Sequence, residues 1–485
     1  MAYEHGIKIL EKATSVPRPT ENPTGVPVIF GTAPVGQKAT PADVTNVPVL
    51  VNTYAEAVEA FGYSNNYAAY TLCEAMDAFF KAFGVGPVVM VNVLDASTGV
   101  SASGTADVAD GQAVFQMDIV ASTLALKKGN TDLTAETDYT YEYDEDGNLV
   151  VTFISNAVSD GDTITLGSGV KKINSGTAKC GVTAATVIGS YNSSTGATTG
   201  IECLRKVYAA TGRFPSLILA PGYSDATVGA ALAAKCESIS GLFKCECVYD
   251  LDPSTAPTVA AIGTAKASFA SEHMIIVFPK VKYNGVAMDY SALYAAMLCY
   301  KDATEDDGAP TLRQSNNVLP ITAAINAAGN EVYIDHDLAN EINGLGIVTA
   351  YNRGGTFVSW GNNTAAYPTS NDTKDRWIGI RRFFSWWGNS FIVNYMDRVD
   401  DPANGKLIEA IVDSENIRGN SFVSSGKCAG MQMEYLAEDN TAEELMNGRV
   451  TFRMSFAPYT PAENIIEILE FDPEMLEAAF TGGEE

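Results

Sequence analysis

One segment of the sequence has the residue types of a serine nucleophile. Gly222-Tyr-Ser-Asp-Ala226 lies between a predicted strand and a predicted helix, where a hydrolase nucleophile elbow belongs. The last position of that motif is normally glycine, and here it is Ala226. The alternative is structural, with Ser224 or Asp225 capping the helix and Gly222 making the turn. The chain has only 3 histidines and so few general bases, which favours the structural interpretation.

Two loops resemble ligand-binding loops in part. Residues 31–38 have the two glycines of a phosphate loop at the right spacing. However, Gln37 stands where the lysine belongs, and Ala39 has no hydroxyl for magnesium. Residues 144–148 resemble half of a calcium loop, yet Phe153 stands where a bidentate glutamate belongs. A β-hairpin turn is the better interpretation of Asp146-Gly147.

The candidate metal ligands are also incomplete. Cys236, Cys245 and Cys247 lack the second Cys pair of a zinc site, and buried thiols are the better interpretation. In Asp335-His336-Asp337 one histidine stands between two acids, which is typical of a surface segment. We therefore expect no catalytic residue, no cofactor and no metal site.

The elements that would position such residues follow an α/β pattern. Buried-type strands alternate with helices, which indicates a largely parallel sheet. The predicted strands are 26–31, 88–94, 217–220, 245–249 and 274–278, and the predicted helices are 54–61, 67–83, 225–237, 260–270 and 290–299.

Two regions depart from this pattern. Residues 97–199 are rich in Ser, Thr, Gly and Asp with alternating apolar positions, which predicts an inserted all-β sandwich. Residues 372–460 carry helices at 376–397 and 407–418, then strands at 431–435 and 448–457, which predicts an α+β domain. The expected units are an arm (1–20), an α/β segment (21–96), the insertion (97–199), a central domain (200–371), the α+β domain (372–460) and a second arm (461–485).

Composition narrows the function. The 485 residues include 31 Lys and Arg against 58 Asp and Glu, a net charge of −27, which argues against general nucleic-acid binding. The amino terminus has no signal-peptide pattern, and we expect neither secretion by that route nor insertion into a membrane. Eight cysteines among 485 residues predict reduced thiols in a cytosol rather than a disulfide framework.

The two ends of the chain stand apart. Each holds a strand-like apolar pattern that prolines such as Pro17 and Pro461 separate from the body. The strand residues of the arms are Ile7, Lys8, Ile9 and Leu10 in the first, and Ile465, Ile466, Ile468 and Leu469 in the second, where the predicted strand is 464–471. Either each arm folds back on its own domain, or each adds a strand to a neighbouring chain, which generates rings or helical arrays.

Several segments, in order, resemble contractile phage tail sheath proteins. Residues 214–224 resemble the central segment of that family, as do residues 278–280 and 291–302. The most recognisable stretch is 345–350, then 360–365, then Asp375-Arg-Trp-Ile-Gly-Ile-Arg-Arg382. The order of elements agrees over nearly the whole chain.

The resemblance implies a fold and a mechanism. It implies a subtilisin-like central domain without a protease site, a C-terminal domain facing an inner tube, and linking arms at both ends. Stacked hexameric rings would surround the tube, and contraction would drive the tube through the target cell envelope without nucleotide hydrolysis. Implied partners are further copies of the chain, the inner tail tube protein, and baseplate and tail terminator proteins. The implied location is a virion tail, assembled in the bacterial host cytoplasm.

Charge complementarity with the tube suggests specific contacts. Arg381, Arg382 and Lys406 lie in the domain expected to face inward, and we expect them to meet the tube. Three alternatives remain at this stage: the sheath of a headless R-type bacteriocin or injection device, a serine hydrolase using Ser224, and a monomeric binding protein built on the β insertion.

Overall fold

The first compact region consists of strands and helices whose apolar residues point into two cores. The structure, a computed structural model, describes residues 20–21, 25–251 and 258–481. The elements of this region are β1 (Thr20–Glu21), β2 (Val26–Gly31), β3 (Val49–Val51), α1 (Tyr54–Phe61), α2 (Thr71–Met76), a π-helical continuation (Asp77–Ala82), β4 (Val85–Gly86) and β5 (Val88–Asn92). The Thr53 side chain caps α1 by accepting a hydrogen bond from the Glu56 amide. This N-cap explains why the helix begins at Tyr54, as predicted.

The insertion folds as short antiparallel strands. They are β6 (Val100–Ser101), β7 (Thr105–Asp107), β8 (Gln112–Phe115), β9 (Leu126–Lys128), β10 (Thr131–Leu133), β11 (Tyr139–Tyr143), β12 (Leu149–Phe153), β13 (Thr163–Leu166) and β14 (Lys171–Lys172). Two sheets, β10-β9-β13-β7 and β11-β12-β8, enclose a core of their own. Helix α3 (Ala184–Ile188) ends this stretch, and its Val187 packs into the core of the main unit instead.

The chain then returns to the main unit. Its elements are α4 (Leu204–Thr211), β15 (Pro215–Leu219), α5 (Ala226–Glu237), β16 (Glu246–Asp250), α6 (Val259–Lys266), β17 (Met274–Phe278), β18 (Lys280–Tyr283), β19 (Val286–Met288), α7 (Tyr290–Ala303), β20 (Ala323–Ile325), α8 (His336–Gly344), β21 (Ile347–Arg353) and β22 (Thr356–Trp360). The α/β pattern predicted six of these elements, three strands and three helices, to within a few residues, whereas it missed the β21–β22 hairpin.

An eight-stranded sheet organises the main unit. Its order is β22-β21-β17-β16-β15-β2-β5-β3, with parallel neighbours from β21 to β5 and an antiparallel strand at each edge. Within β2, Ile29 faces one core, and Val28 and Phe30 face the other. Because side chains alternate along a strand, the sheet needs helices on both faces, and α2 and α7 cover one while α5 and α10 cover the other.

The C-terminal region packs on the second of these cores. It comprises α9 (Thr373–Arg376), α10 (Ile378–Tyr395), α11 (Gly405–Ser424), β23 (Cys428–Glu434), α12 (Ala442–Met446), β24 (Arg453–Pro458) and α13 (Pro473–Thr481). Phe383, Trp387 and Phe422 join it to the main unit through the shared apolar core. Strands β23 and β24 form a separate antiparallel hairpin. Among the described residues, no helix is long and apolar enough to cross a bilayer.

Candidate functional site

The segment around Ser224 ends at a cavity along the carboxyl edge of the large sheet. Gly222 adopts a φ of +79°, which makes the predicted turn, and Asp225 stands at the N-cap of α5 without a side-chain bond to it. After β2 the next parallel strand in the sheet, β5, lies on one side, whereas after β15 the next strand, β16, lies on the other side. The cavity therefore lies at the switch point of the sheet, where α/β proteins bind ligands. Its volume is about 520 Å³. We call it the carboxyl-edge cavity.

Buried charges surround this cavity and partner one another. The Asp289 amide donates to Glu74 Oε2 at 3.0 Å, and Lys280 Nζ lies 2.9 Å from Asp289 Oδ1. Asp250 accepts from the Ser291 amide at 2.8 Å and from its hydroxyl. The carboxylates of Glu74 and Asp250 thus accept hydrogen bonds from backbone amides at the start of α7, where the helix dipole favours negative charge.

The titration of these groups follows from burial. Desolvation, and then the charge of Asp289, raise the pKa of Asp250 to about 7 and raise that of Glu74 well above its usual range. Burial opposes the charge of Lys280, but the carboxylates of Asp289 and Glu74 hold its pKa above the ordinary value. Perturbed pKa values often mark active sites, so the cavity needs a test of geometry.

The geometry does not assemble a triad. His273 and His336, the two histidines in the described part of the chain, are absent from the residues that line this cavity. His273 is buried near Glu246, and His336 lies against Tyr351 and Trp360. Ser224 therefore has no imidazole base within the cavity, and the structural interpretation of this turn is the one its surroundings support.

The other ligand-like loops are occupied by their own chain. Val35 and Gly36, within the phosphate-like loop, are buried, and Gln37 is bonded in both directions to the backbone of Tyr63. The carboxylate of Asp144 accepts from the Asp146 and Asn148 amides and so closes the β11–β12 hairpin. These groups stabilise turns.

The metal-like clusters are structural as well. Cys236 and Cys245 are buried with their sulfurs 3.6 Å apart, and burial raises the pKa of both thiols. Asp335 caps α8 by accepting from the Leu338 amide at 2.9 Å. Across residues 20–21, 25–251 and 258–481, no group of three or more His, Cys, Asp or Glu is placed to hold a metal ion.

Two of the three residues predicted to contact the tube are buried. Arg382 is 3% exposed and bonds Asp302 and the Gln314 side chain, and Arg381 is 8% exposed beside Asp375. Both guanidinium groups are enclosed by their own chain, which disfavours the predicted contact of Arg381 and Arg382 with a tube. Lys406, in the first turn of α11, is exposed.

The C-terminal segment has the opposite character. Residues 462–480 are all exposed, and eight large apolar side chains among them are between 45% and 86% exposed. They are Ile465, Ile466, Ile468, Leu469, Phe471, Met475, Leu476 and Phe480. The predicted strand at 464–471 does not form in the single chain, since no described strand lies beside it to share its hydrogen bonds. The matching residues Ile7, Lys8, Ile9 and Leu10 lie outside the described residues.

Arg376 fixes the root of this segment. Its guanidinium bonds Glu463 at 3.0 Å and the Asn363 side chain at 2.7 Å, and it stacks on the rings of Tyr367 and Trp377. Downstream of Glu463, the chain leaves the body as an extended, apolar arm.

The β23–β24 hairpin offers a place for such an arm. The Asn416 side chain bonds both the amide and the carbonyl of Met433, which covers the outer edge of β23 at that point. Strand β24 has no third strand beside it among the described residues. Its free edge is therefore available for another strand.

Comparison with known proteins shows which proteins this chain is similar to. No family model matches the chain. The tail sheath protein of Burkholderia phage BcepMu is 26% identical over 501 residues, covering 98% of both chains, and that of Escherichia phage P2 is 24% identical over 294 residues, covering 59% of this chain and 70% of its own. The chain is therefore similar to contractile tail sheath proteins over nearly its whole length.

Two solved structures have the same fold. A chain of the anti-feeding prophage baseplate superimposes with a TM-score of 0.56 at 16% identity, covering 97% of this chain and all of its own. The contracted PVC sheath of an extracellular contractile injection system gives 0.57 at 14% identity, covering 98% and 99%. The multidomain α/β fold of this chain is thus shared with them.

Proposed function

We propose that this protein is a contractile tail sheath protein, which polymerises as stacked hexameric rings around a tail tube and contracts to drive the tube through the target cell envelope. One observation carries the proposal: residues 462–480 expose eight large apolar side chains that no other described part of the chain covers. A soluble monomer rarely exposes so continuous an apolar surface unless a partner binds it.

The arm gains a partner by adding to a neighbouring sheet. Residues 464–471 have the length of a strand, and β24 presents a free edge of similar length. A two-stranded hairpin is marginal by itself, so a strand from another copy stabilises both partners. The N-terminal arm, with Ile7, Lys8, Ile9 and Leu10, is proposed to link subunits in the same way.

Exchange of this kind suits contraction. A strand that one copy gives to the next makes a heterologous contact, which builds rings and helical arrays rather than closed dimers. Subunits then rotate outward without detaching, and new contacts between subunits supply the energy. The central unit, 200–371, is proposed to be a subtilisin-like domain, and 97–199 to be a β-sandwich that leaves this mesh undisturbed.

The proposed partners are further copies of the chain, an inner tail tube protein, and baseplate and tail terminator proteins. Lys406 is the surviving candidate for the tube, because it is exposed while Arg381 and Arg382 are enclosed. A phage tail is favoured over a headless injection device because the BcepMu phage protein matches 98% of the chain at 26% identity, whereas the injection-system chains share only 14–16%.

Electron microscopy of the purified protein tests the proposal. The full chain, with a tube protein co-expressed, should give striated hollow cylinders, and a chain lacking residues 1–17 and 461–485 should not. A milder variant replaces Ile465, Ile466, Ile468 and Leu469 with serine. Its matched control replaces three exposed residues of the insertion, Val100, Val114 and Ile154, with serine.

The serine variants separate assembly from folding. Cylinders from the insertion variant but not from the arm variant support the proposal, provided that both variants unfold at the same temperature as the parent. Cylinders from the arm variant and from the truncated chain would contradict arm exchange.

A further inference from the structure

Helix α13 follows the arm, and its apolar side chains are not covered by any other part of the chain that the structure describes. Asp472 caps it by accepting from the Glu474 and Met475 amides at 2.9 and 3.2 Å, and Pro473 occupies its first position. Met475, Leu476 and Phe480 are 75%, 45% and 82% exposed. An isolated helix of nine residues has marginal stability in water. A capped helix of this length that exposes large apolar side chains is therefore typical of a segment that packs on a partner.

A cleft of about 410 Å³ lies where the arm leaves the body. Its apolar lining comes from the start of α10, from the loop before it and from the end of β24. The main apolar residues are Leu312, Trp377, Ile380, Phe383, Pro458 and Tyr459. We call it the root cleft, since it lies at the end of the hairpin where β23 begins and β24 ends.

Charge separates the root cleft from the other end of the hairpin. Residues 461–485 contain eight acidic side chains and no basic one. The hairpin tip, residues 434–453, holds five acidic residues against Arg449 and Arg453, and it would repel such a segment.

The root cleft is closer to neutral. Lys427 there is paired with Glu305 and Asp307, while Arg313 bonds Asn317 and has no carboxylate partner among the described residues. An acidic, apolar helix therefore fits the root cleft better than the tip.

The composition and length of the arm favour delivery of α13 to a second copy over its return to the cleft of its own copy. Residues 464–472 contain no glycine or proline to turn the chain, and nine extended residues span roughly 30 Å. Glu463 is tied to Arg376 beside that cleft, so the segment carries α13 away from its own body. The occupant comes from a second copy.

We propose that α13 of one copy docks into the root cleft of a second copy through Met475, Leu476 and Phe480. The proposal rests on the arm exchange proposed above, which delivers the helix to its neighbour. It also fixes a direction: β24 runs from the tip to the root, so an arm strand that brings α13 to the root runs parallel to β24. The helix then anchors a strand that would otherwise be held by backbone hydrogen bonds alone.

Disulfide trapping between differently tagged full-length chains tests this contact. One chain carries Phe480→Cys and the other Leu312→Cys, with Met475→Cys and Tyr459→Cys as a second, independent pair. Mild oxidation of assembled cylinders should link the two tags. The control partner is Met446→Cys, which is 81% exposed on α12 at the tip, and should give roughly tenfold less cross-link because distant cysteines cannot be bridged.

Each outcome has a distinct meaning. Cross-links to residue 446 rather than 312 would place the helix at the tip and overturn the proposal. A disulfide that forms only when both cysteines are in one chain would mean self-capping, and cylinders without any cross-link in either pair would also overturn it. If the reduced cysteine variants and the parent all fail to assemble, the proposed function itself fails.

Discussion

The carboxyl-edge cavity and the C-terminal arm are opposites. The cavity has the features of an active site: buried carboxylates, lysines, a serine at a strand-to-helix turn and a place at the switch point of the sheet. The arm has none of these features. Yet the charges of the cavity are largely compensated by neighbours such as Lys280 and the amides of α7. The apolar residues of the arm, in contrast, are left exposed by all of the chain that the structure describes.

If the chain assembles as proposed, the difference shows that an uncovered apolar surface indicates function more clearly than a buried charge that already has a partner. Perturbed pKa values point to function when a group remains free to act on a substrate. Asp250, whose pKa is raised to about 7, already binds Ser291 twice and holds the start of α7. An uncovered apolar segment has no such internal explanation, so the arm is the more informative region.

The largest expected effect comes from breaking the compensation of an interior charge. Asp302→Ala leaves the Arg382 guanidinium, 3% exposed, without its carboxylate. Loss of one partner of a buried ion pair costs about 3–5 kcal/mol of unfolding free energy. Urea unfolding, monitored by circular dichroism, measures the loss.

Asp401→Ala is the matched control for that variant. It removes the partner of Arg398 from a pair whose side chains are 63% and 43% exposed, and it should cost less than about 1 kcal/mol. Equal losses for Asp302→Ala and Asp401→Ala would show that the interior charges are not compensated as described.

A smaller effect depends on pH and concerns the junction of the insertion with the main unit. Tyr70, just before α2, donates its hydroxyl to Asp118, and burial raises the pKa of that carboxyl to about 8. Tyr143 and Cys180 also face it, and its charge contributes to raising their pKa values. The folded state therefore binds a proton that the unfolded chain, with an Asp pKa near 3.9, has released.

The sign of the effect follows from that proton. The contribution of Asp118 is greatest below pH 4 and is lost as the pH rises toward 8, by at most about 1.4 kcal/mol per pH unit. Asp118→Asn should flatten this part of the profile of unfolding free energy between pH 5 and 8. A variant whose profile has the same slope as the parent would show that Asp118 is already ionised in the fold.

The local elements were readable from the sequence because their signals are local. Strand β2 matches the predicted 26–31, and α1 matches 54–61, since apolar spacing and caps define both within a few residues. The helix predicted over 67–83 begins only at Thr71 and becomes π-helical at Asp77, because packing on α7 sets its path. Helix α13 did have a signal, Asp472 followed by Pro473, which is typical of a helix start.

The roles of side chains were harder to predict because they depend on distant partners. Arginine is usually exposed, so nothing in the sequence around Arg382 indicates that Asp302, 80 residues away, encloses it. The arm shows the same limit in another form. A strand at 464–471 is visible as an apolar pattern, but its hydrogen-bond partner lies in a different chain under our proposal.

The smallest expected effect is that of a substitution at Ser224. A large effect there would contradict the contrast between the carboxyl-edge cavity and the arm. Ser224→Ala removes the hydroxyl that resembles a nucleophile while leaving the Ser224 carbonyl, which accepts from the Tyr249 hydroxyl at 2.6 Å. Because that contact uses the backbone, the unfolding free energy should change by less than about 0.5 kcal/mol, and cylinders should form as before. Tyr249→Phe is the informative companion, since it removes the hydroxyl that holds this turn and should cost about 1 kcal/mol. A Ser224→Ala chain that folds normally but no longer assembles would show that the carboxyl-edge cavity takes part in function, and the contrast with the arm would have to be abandoned.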